Sequence, residues 1–179
     1  MKIFCLNTID LKKNLVLKDL IILYNILIKI SIFLSSGFGV GYFKYAPGTI
    51  GTFLGIIIIY ILTSFNIYAN ILSLILVIFF SIVICEIANN YYLESDSKKI
   101  VLDEIAGIFV ATYGIEITLI NIIYIFLLFR LFDIYKPFPI SYIDKKFKNG
   151  FGIVMDDVLA GVYSNIIFLI TSIYLVRIL

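Results

Sequence analysis

Between positions 129 and 161 the chain reads FRLFDIYKPFPISYIDKKFKNGFGIVMDDVLAG. Arg130, Asp133, Lys136, Asp144, Asp156 and Asp157 share this span with Pro137, Pro139, Gly150 and Gly152. The rest of the sequence is strongly apolar, and ionisable groups near a bilayer are costly enough to ask for a functional reason. Paired carboxylates offer oxygen ligands to a hard divalent cation. Arginine and lysine grip phosphate oxygens. Together these residue types suggest chemistry on a phosphate ester beside a metal.

Each cluster also has a plainer explanation. Arg130 and Asp133 stand three apart, so on a helix they can pair. They form either a salt bridge at a membrane boundary or a phosphate grip, in which Arg130 and Lys136 hold oxygens and Asp133 binds metal or orients Arg130. Pro137 and Pro139 then end the helix. A second cluster, Asp96 with Asp103, Glu104 and Gly107, puts two acids at the start of an apolar helix. The helix dipole favours acids there, and Mg²⁺ ligation is the functional alternative. Asp156 and Asp157 repeat the pattern, with Ala160 and Gly161 leaving room for a neighbouring helix.

A third stretch, GFGVGYFKYAPGTIGT over 37–52, is rich in glycine. Thr49 could cap a helix and aim free N–H groups at a phosphate, with Gly48 beside it. A simple glycine turn is the alternative. The stretch is not a P-loop, because no Gly-Lys-Ser/Thr follows. Charged clusters converging on one face are better explained by one site than by separate helix-start effects.

Composition narrows the chemistry. The chain has no histidine, which excludes Ser-His-Asp triads, phosphohistidine routes and histidine metal sites. Cys5 and Cys85 lie in no CxxC pair and suggest neither disulfide nor zinc. The net charge of +2 gives nucleic-acid binding no electrostatic support. With 62% hydrophobic residues and a mean hydropathy of +1.10, the 179 residues read as one membrane-associated domain. No cleavable signal peptide is expected, since no A-x-A site follows the apolar run after Asp19.

The elements that must position these residues read as an all-α, multi-helix membrane-associated bundle. Helical segments are expected at about 18–35, 49–64, 67–93, 101–113, 117–135 and 157–177. The fourth is too short to span, because crossing takes roughly 20 apolar residues. Segments two and three, and four and five, therefore read as hairpins. The polar loops at 37–49, 94–104 and 130–157 then emerge on one face. That face collects Lys44, Lys98, Lys99, Arg130, Lys136, Lys145, Lys146 and Lys148, which makes it cytoplasmic by the positive-inside rule. Lys145, Lys146 and Lys148 are expected in solvent or on anionic headgroups rather than in chemistry. The segment over 18–35, with Asn25 and Lys29, is expected to lie in the interface.

Three motifs together, GFGVGYFKYAPGTIGT, DSKKIVLDEIAG (96–107) and the 129–161 stretch, resemble the bacterial phosphatidylglycerophosphatase A family. The resemblance covers about 36–179 and leaves 1–35 as an N-terminal tail and interfacial helix. It implies an all-helical bundle with a central helix. It also implies Mg²⁺-dependent hydrolysis of phosphatidylglycerophosphate to phosphatidylglycerol and phosphate, in phospholipid biosynthesis at the cytoplasmic side of the inner membrane. Carried over by motif, the acidic set is Asp96, Asp103, Glu104, Asp133, Asp144, Asp156 and Asp157, and the basic set is Arg130 and Lys136. In that picture Asp96, Asp103, Glu104, Asp156 and Asp157 serve the metal, while Gly48, Thr49, Arg130 and Lys136 receive the phosphate. Asn149 stands where the family has the first of a glycine pair, and Lys98-Lys99 replace small residues. Competing readings are a phosphatase of another lipid or soluble phosphomonoester and a small membrane transporter. A transporter would place charges in mid-helix, whereas these gather towards helix ends.

Overall fold

In the computed structural model, backbone is described for residues 2–62, 67–92 and 97–178, and side chains for 17–62, 70–92 and 97–173. Among the described residues the fold is all-helical, with no strand. Its α-helices are α1 (Lys2–Ser35), α2 (Pro47–Leu62), α3 (Ile67–Tyr92), α4 (Leu102–Ala111), α5 (Leu119–Tyr135), α6 (Ile140–Lys146) and α7 (Gly150–Ile178), with a 3₁₀ turn at Val40–Tyr42.

The all-helical expectation holds, and the boundaries differ in instructive places. α2 begins at Pro47 rather than Thr49, because proline is pre-set for the first helical position and lacks the N–H that would go unpaired there. Ala46, just before it, adopts a left-handed φ of 45°. α6 is an additional short helix inside the stretch read as a loop. α7 starts at Gly150 rather than Asp157. Asn149 supplies the cap, its Oδ1 accepting from the N–H of Gly152 at 3.1 Å, which is the role asparagine favours at a helix start. Asp156 and Asp157 therefore sit about two turns inside α7.

The short helix α4 is the centre of the bundle. Ile105, Ala106, Gly107, Ile108, Phe109 and Ala111 are all buried. α4 carries DEIAG over 103–107 and α7 carries DVLAG over 157–161, so both helices present a small pair three and four residues after an aspartate. A Cβ on Gly107 would meet the Phe129 ring and the Asp157 carbonyl oxygen, and one on Gly161 would run into the Gly107 carbonyl. Further along, Asn165 Nδ2 donates to the carbonyls of Ala111 at 2.9 Å and Tyr113 at 2.8 Å. The order of these contacts shows that α4 and α7 run in the same direction, in register. Small residues permit that approach.

Among the described residues, two helical stretches, Asn70–Tyr92 and Gly150–Ile173, are long and apolar enough to cross a membrane. The start of α2, the end of α3, the start of α4, the end of α5 and the start of α7 touch one another at one end of the bundle. The polar loops accordingly share a face.

Candidate active site

At that end the parallel packing of α4 and α7 brings Asp103, Glu104 and Asp157 together. Ligand-capable oxygens of the three carboxylates all lie within 4.8 Å of one another. Asp103 and Asp157 are 8% and 4% exposed. Asp103 Oδ1 and Glu104 Oε2 are buried with no hydrogen-bond partner. A buried polar atom left unpaired is expensive, and here two acidic ones converge on the same point. Burial pushes Asp103 well above the usual carboxylate range, and the neighbouring Glu104 and Asp157 charges add to it. Burial raises Glu104 as well, against the opposing pull of Asp103 and Arg130. Such a group keeps its charges only if a cation compensates them. The three hard oxygen donors suit a divalent ion such as Mg²⁺, so the residues present fit a metal.

α5 supplies the cationic wall. Arg130 Nη1 lies 2.6 Å from Asp133 Oδ2 and 4.0 Å from Glu104 Oε1. Neither approach satisfies hydrogen-bond geometry, and Arg130 Nε is likewise buried without a partner. The Asp133 ion pair holds the guanidinium by charge, while Nε and Nη1 have no hydrogen-bond partner. Asp133 is also near enough to Glu104 and Asp157 for its charge to act on both.

The first turn of α2 forms the third wall. A Cβ on Gly48 would collide with Glu104 Oε1 and stand 3.4 Å from Arg130 Nη1. Glycine lets the α2 backbone run against both charged groups without displacing the Glu104 side chain. Thr49 follows in the same turn, whose N–H groups have no intrahelical acceptor. The loop leading to α2 is fixed on the segment before α4. The Val101 N–H donates to the Ser35 carbonyl at 2.9 Å, and a Cβ on Gly41 would strike the Lys99 carbonyl.

Lys136, Asp144 and Asp156 form a separate group beside this one. Lys136 Nζ lies 2.5 Å from Asp156 Oδ2 and 3.4 Å from Asp144 Oδ1. Burial works against the lysine charge, but the two carboxylates outweigh it and hold the ammonium well above the ordinary lysine range. Lys148 reaches Asp144 at 3.5 Å. Lys145 and Lys146 are exposed, and Lys146 lies over the Tyr142 and Phe147 rings.

The structure thus unites Asp103, Glu104, Asp157, Asp133, Arg130 and Gly48, and puts Lys136, Asp144 and Asp156 in an adjoining ion-paired group. Asp96 lies outside the described residues. Among the acids not singled out in the sequence, one touches the start of α7. Glu86, on the apolar helix α3, accepts the Gly150 N–H at 2.5 Å. A lone glutamate among apolar residues was the available signal.

Carboxylates with unpaired buried oxygens, an arginine with unpaired buried donors and the first turn of α2 meet at one end of a helical bundle, an arrangement suited to chemistry on a phosphate ester. The profile of the phosphatidylglycerophosphatase A family matches residues 33–172. A phosphatidylglycerophosphatase A of Haemophilus influenzae is 38% identical over 75% of this chain and 83% of its own length. The Escherichia coli K12 protein of the same name is 30% identical, over 73% and 77%. A Bacteroides thetaiotaomicron protein provisionally named a phosphatidylinositol-3-phosphatase is 36% identical, over 76% and 89%. No solved structure matches the chain. The chain belongs to the phosphatidylglycerophosphatase A family and is a phosphatase.

Proposed function

We propose that the protein is a Mg²⁺-dependent phosphatase that converts phosphatidylglycerophosphate to phosphatidylglycerol and phosphate, as a step in phospholipid biosynthesis. The observation that carries the reading is the meeting of Asp103, Glu104 and Asp157, with unpaired buried oxygens, against Arg130 and Gly48. Asp103, Glu104 and Asp157 would hold the cation, with Asp96 and Asp156 as further acids of the same family set. When bound, the ion offsets phosphate charge and polarises the scissile ester.

The chain's own groups do the rest. Arg130 presents uncommitted guanidinium donors to the terminal phosphate, where they are most useful as charge builds in the transition state. The first-turn amides of α2 at Gly48 and Thr49 add backbone donors from the opposite wall. Asp133 keeps Arg130 in place. Lys136 supplies positive potential from beside the site and fixes α5 to α7 through Asp156. The P–O bond to the lipid glycerol is exchanged for one to a water oxygen, and a proton passes to the departing alkoxide.

The catalytic domain in this reading spans 36–179, and 1–35 is an accessory segment lying in the membrane interface. α3 and α7 cross the bilayer, and the site-bearing end, with Lys44, Lys98, Lys99, Lys145, Lys146 and Lys148, faces the cytoplasm.

Phosphate release from phosphatidylglycerophosphate by purified protein, with and without Mg²⁺, tests the proposal. Turnover that vanishes on chelation and returns with Mg²⁺ is expected. The Bacteroides relative makes phosphatidylinositol 3-phosphate the second substrate to assay, and a higher kcat/KM for it would move the assignment there.

A further inference from the structure

The start of α7 is held from outside by a residue on a different helix. Glu86, on α3, accepts the Gly150 N–H through Oε2 at 2.5 Å, and Asn90 Nδ2 donates to its Oε1 at 3.4 Å. On the same helix, Asn89 Nδ2 donates to the Lys148 carbonyl at 3.3 Å. The approach is tight as well as polar. A Cβ on Gly150 would meet the Ile82 carbonyl at 2.6 Å and Glu86 Cα at 2.7 Å, and would overlap the Glu86 nitrogen.

Elsewhere α3 meets α7 through apolar contacts. Cys85, Ala88, Ile153, Val154 and Val158 belong to one buried cluster. Such contacts resist separation but define axial position and rotation weakly, because neighbouring apolar residues can replace one another. A directed hydrogen bond from the first free amide to a carboxylate is specific in both. It also puts a negative charge on the positive end of the helix dipole.

Asp157 lies about 10 Å further along α7 at a rise of 1.5 Å per residue. A helix carries displacement at one end to the other, and a slip of one residue rotates every side chain by about 100°. We propose that Glu86 is a positioning residue. Its bond to the Gly150 N–H sets the register of α7 on α3, and so places Asp157 against Asp103 and Glu104 and Asp156 against Lys136. This inference rests on reading the acid cluster as a cation site.

The test uses the full chain in detergent or nanodiscs, with Glu86→Ala, Glu86→Gln and Gly150→Ala. Glu86→Gln keeps an acceptor oxygen. It is expected within about twofold of wild type in kcat and in the Mg²⁺ concentration giving half-maximal binding by calorimetry. Glu86→Ala is expected to raise that concentration by roughly tenfold, within the range for residues that orient metal ligands. It should lower kcat comparably at unchanged KM, and speed hydrogen exchange of the 150–157 amides while those of α4 keep their protection. Gly150→Ala displaces the same contact from the other side and should reproduce the pattern, which keeps the test open if Glu86→Ala misfolds.

Wild-type Mg²⁺ binding and exchange in Glu86→Ala would overturn the inference. So would Glu86→Gln as impaired as Glu86→Ala. A wild-type protein that binds Mg²⁺ but releases no phosphate from either lipid would overturn the proposed function alone, since binding and exchange still report on register.

Discussion

Asp156 and Asp157 are adjacent, carry the same side chain and are almost equally buried at 5% and 4% exposure, yet they face opposite electrostatic surroundings. Successive helix residues point about 100° apart. On α7 that turn separates Asp156, which meets Lys136 at 2.5 Å, from Asp157, which meets Asp103 and Glu104. The first group balances its charges internally. The second is an excess of negative charge with unpaired oxygens beside it. Acid content alone does not separate the two groups; the charge left over after local pairing marks the one that could hold a cation.

Breaking each side of this pair separately has opposite consequences. The largest effect is expected from Asp157→Asn, which should lower phosphate release by roughly a hundredfold or more without lowering the thermal midpoint measured in chelator. Removing one of several crowded negative charges relieves repulsion in the cation-free protein. A midpoint several degrees lower would show that Asp157 serves the fold.

Asp156→Asn should do the reverse. It leaves Lys136 without its nearest partner and is expected to cost about 2 kcal/mol of stability, with activity down by roughly tenfold. Adding Lys136→Met should recover stability without recovering activity. A double variant no more stable than Asp156→Asn would show that the pair is not the source of the loss.

Mg²⁺ sharpens the contrast through binding linkage. A cation that binds the folded state alone raises its stability. At a concentration about 100 times the dissociation constant the gain is about 2.7 kcal/mol. The thermal midpoint should rise with Mg²⁺ in the wild type and in Asp156→Asn, and stay fixed in Asp157→Asn. Equal shifts in both variants would place the ion elsewhere.

The smallest effect is expected from Gly48→Ala. Its Cβ would collide with Glu104 Oε1 near Arg130, so one of the three must move. A rise in KM of about tenfold with little change in midpoint is expected, and an unchanged KM would remove the start of α2 from the substrate site.

Much of the candidate site was legible in the sequence because its pieces are locally anomalous. Arg130 and Asp133 stand at a pairing interval, Asp103 and Glu104 are adjacent acids, and Gly48 sits in a glycine run beside a proline. Helices were legible from apolar run length. The start of α7 was not. Acids at 156–157 look like a helix start, but Asn149 caps the helix earlier and frees them for tertiary partners. Glu86 was hidden because its partner is a backbone amide distant in sequence, which leaves no mark on spacing.

The sequence by itself determined the all-helical, apolar character of the chain and the set of charged residues available for phosphate and metal chemistry. These follow from composition and from periodicity over a few turns. Only the tertiary structure decided how the acids divide between an unpaired cluster that could hold a cation and an ion-paired group. That division depends on the rotation and register of α7 against α3, α4 and α5. Those are fixed by the Gly107–Gly161 crossing and the Glu86–Gly150 bond, contacts between residues far apart in the chain whose energies no local pattern records.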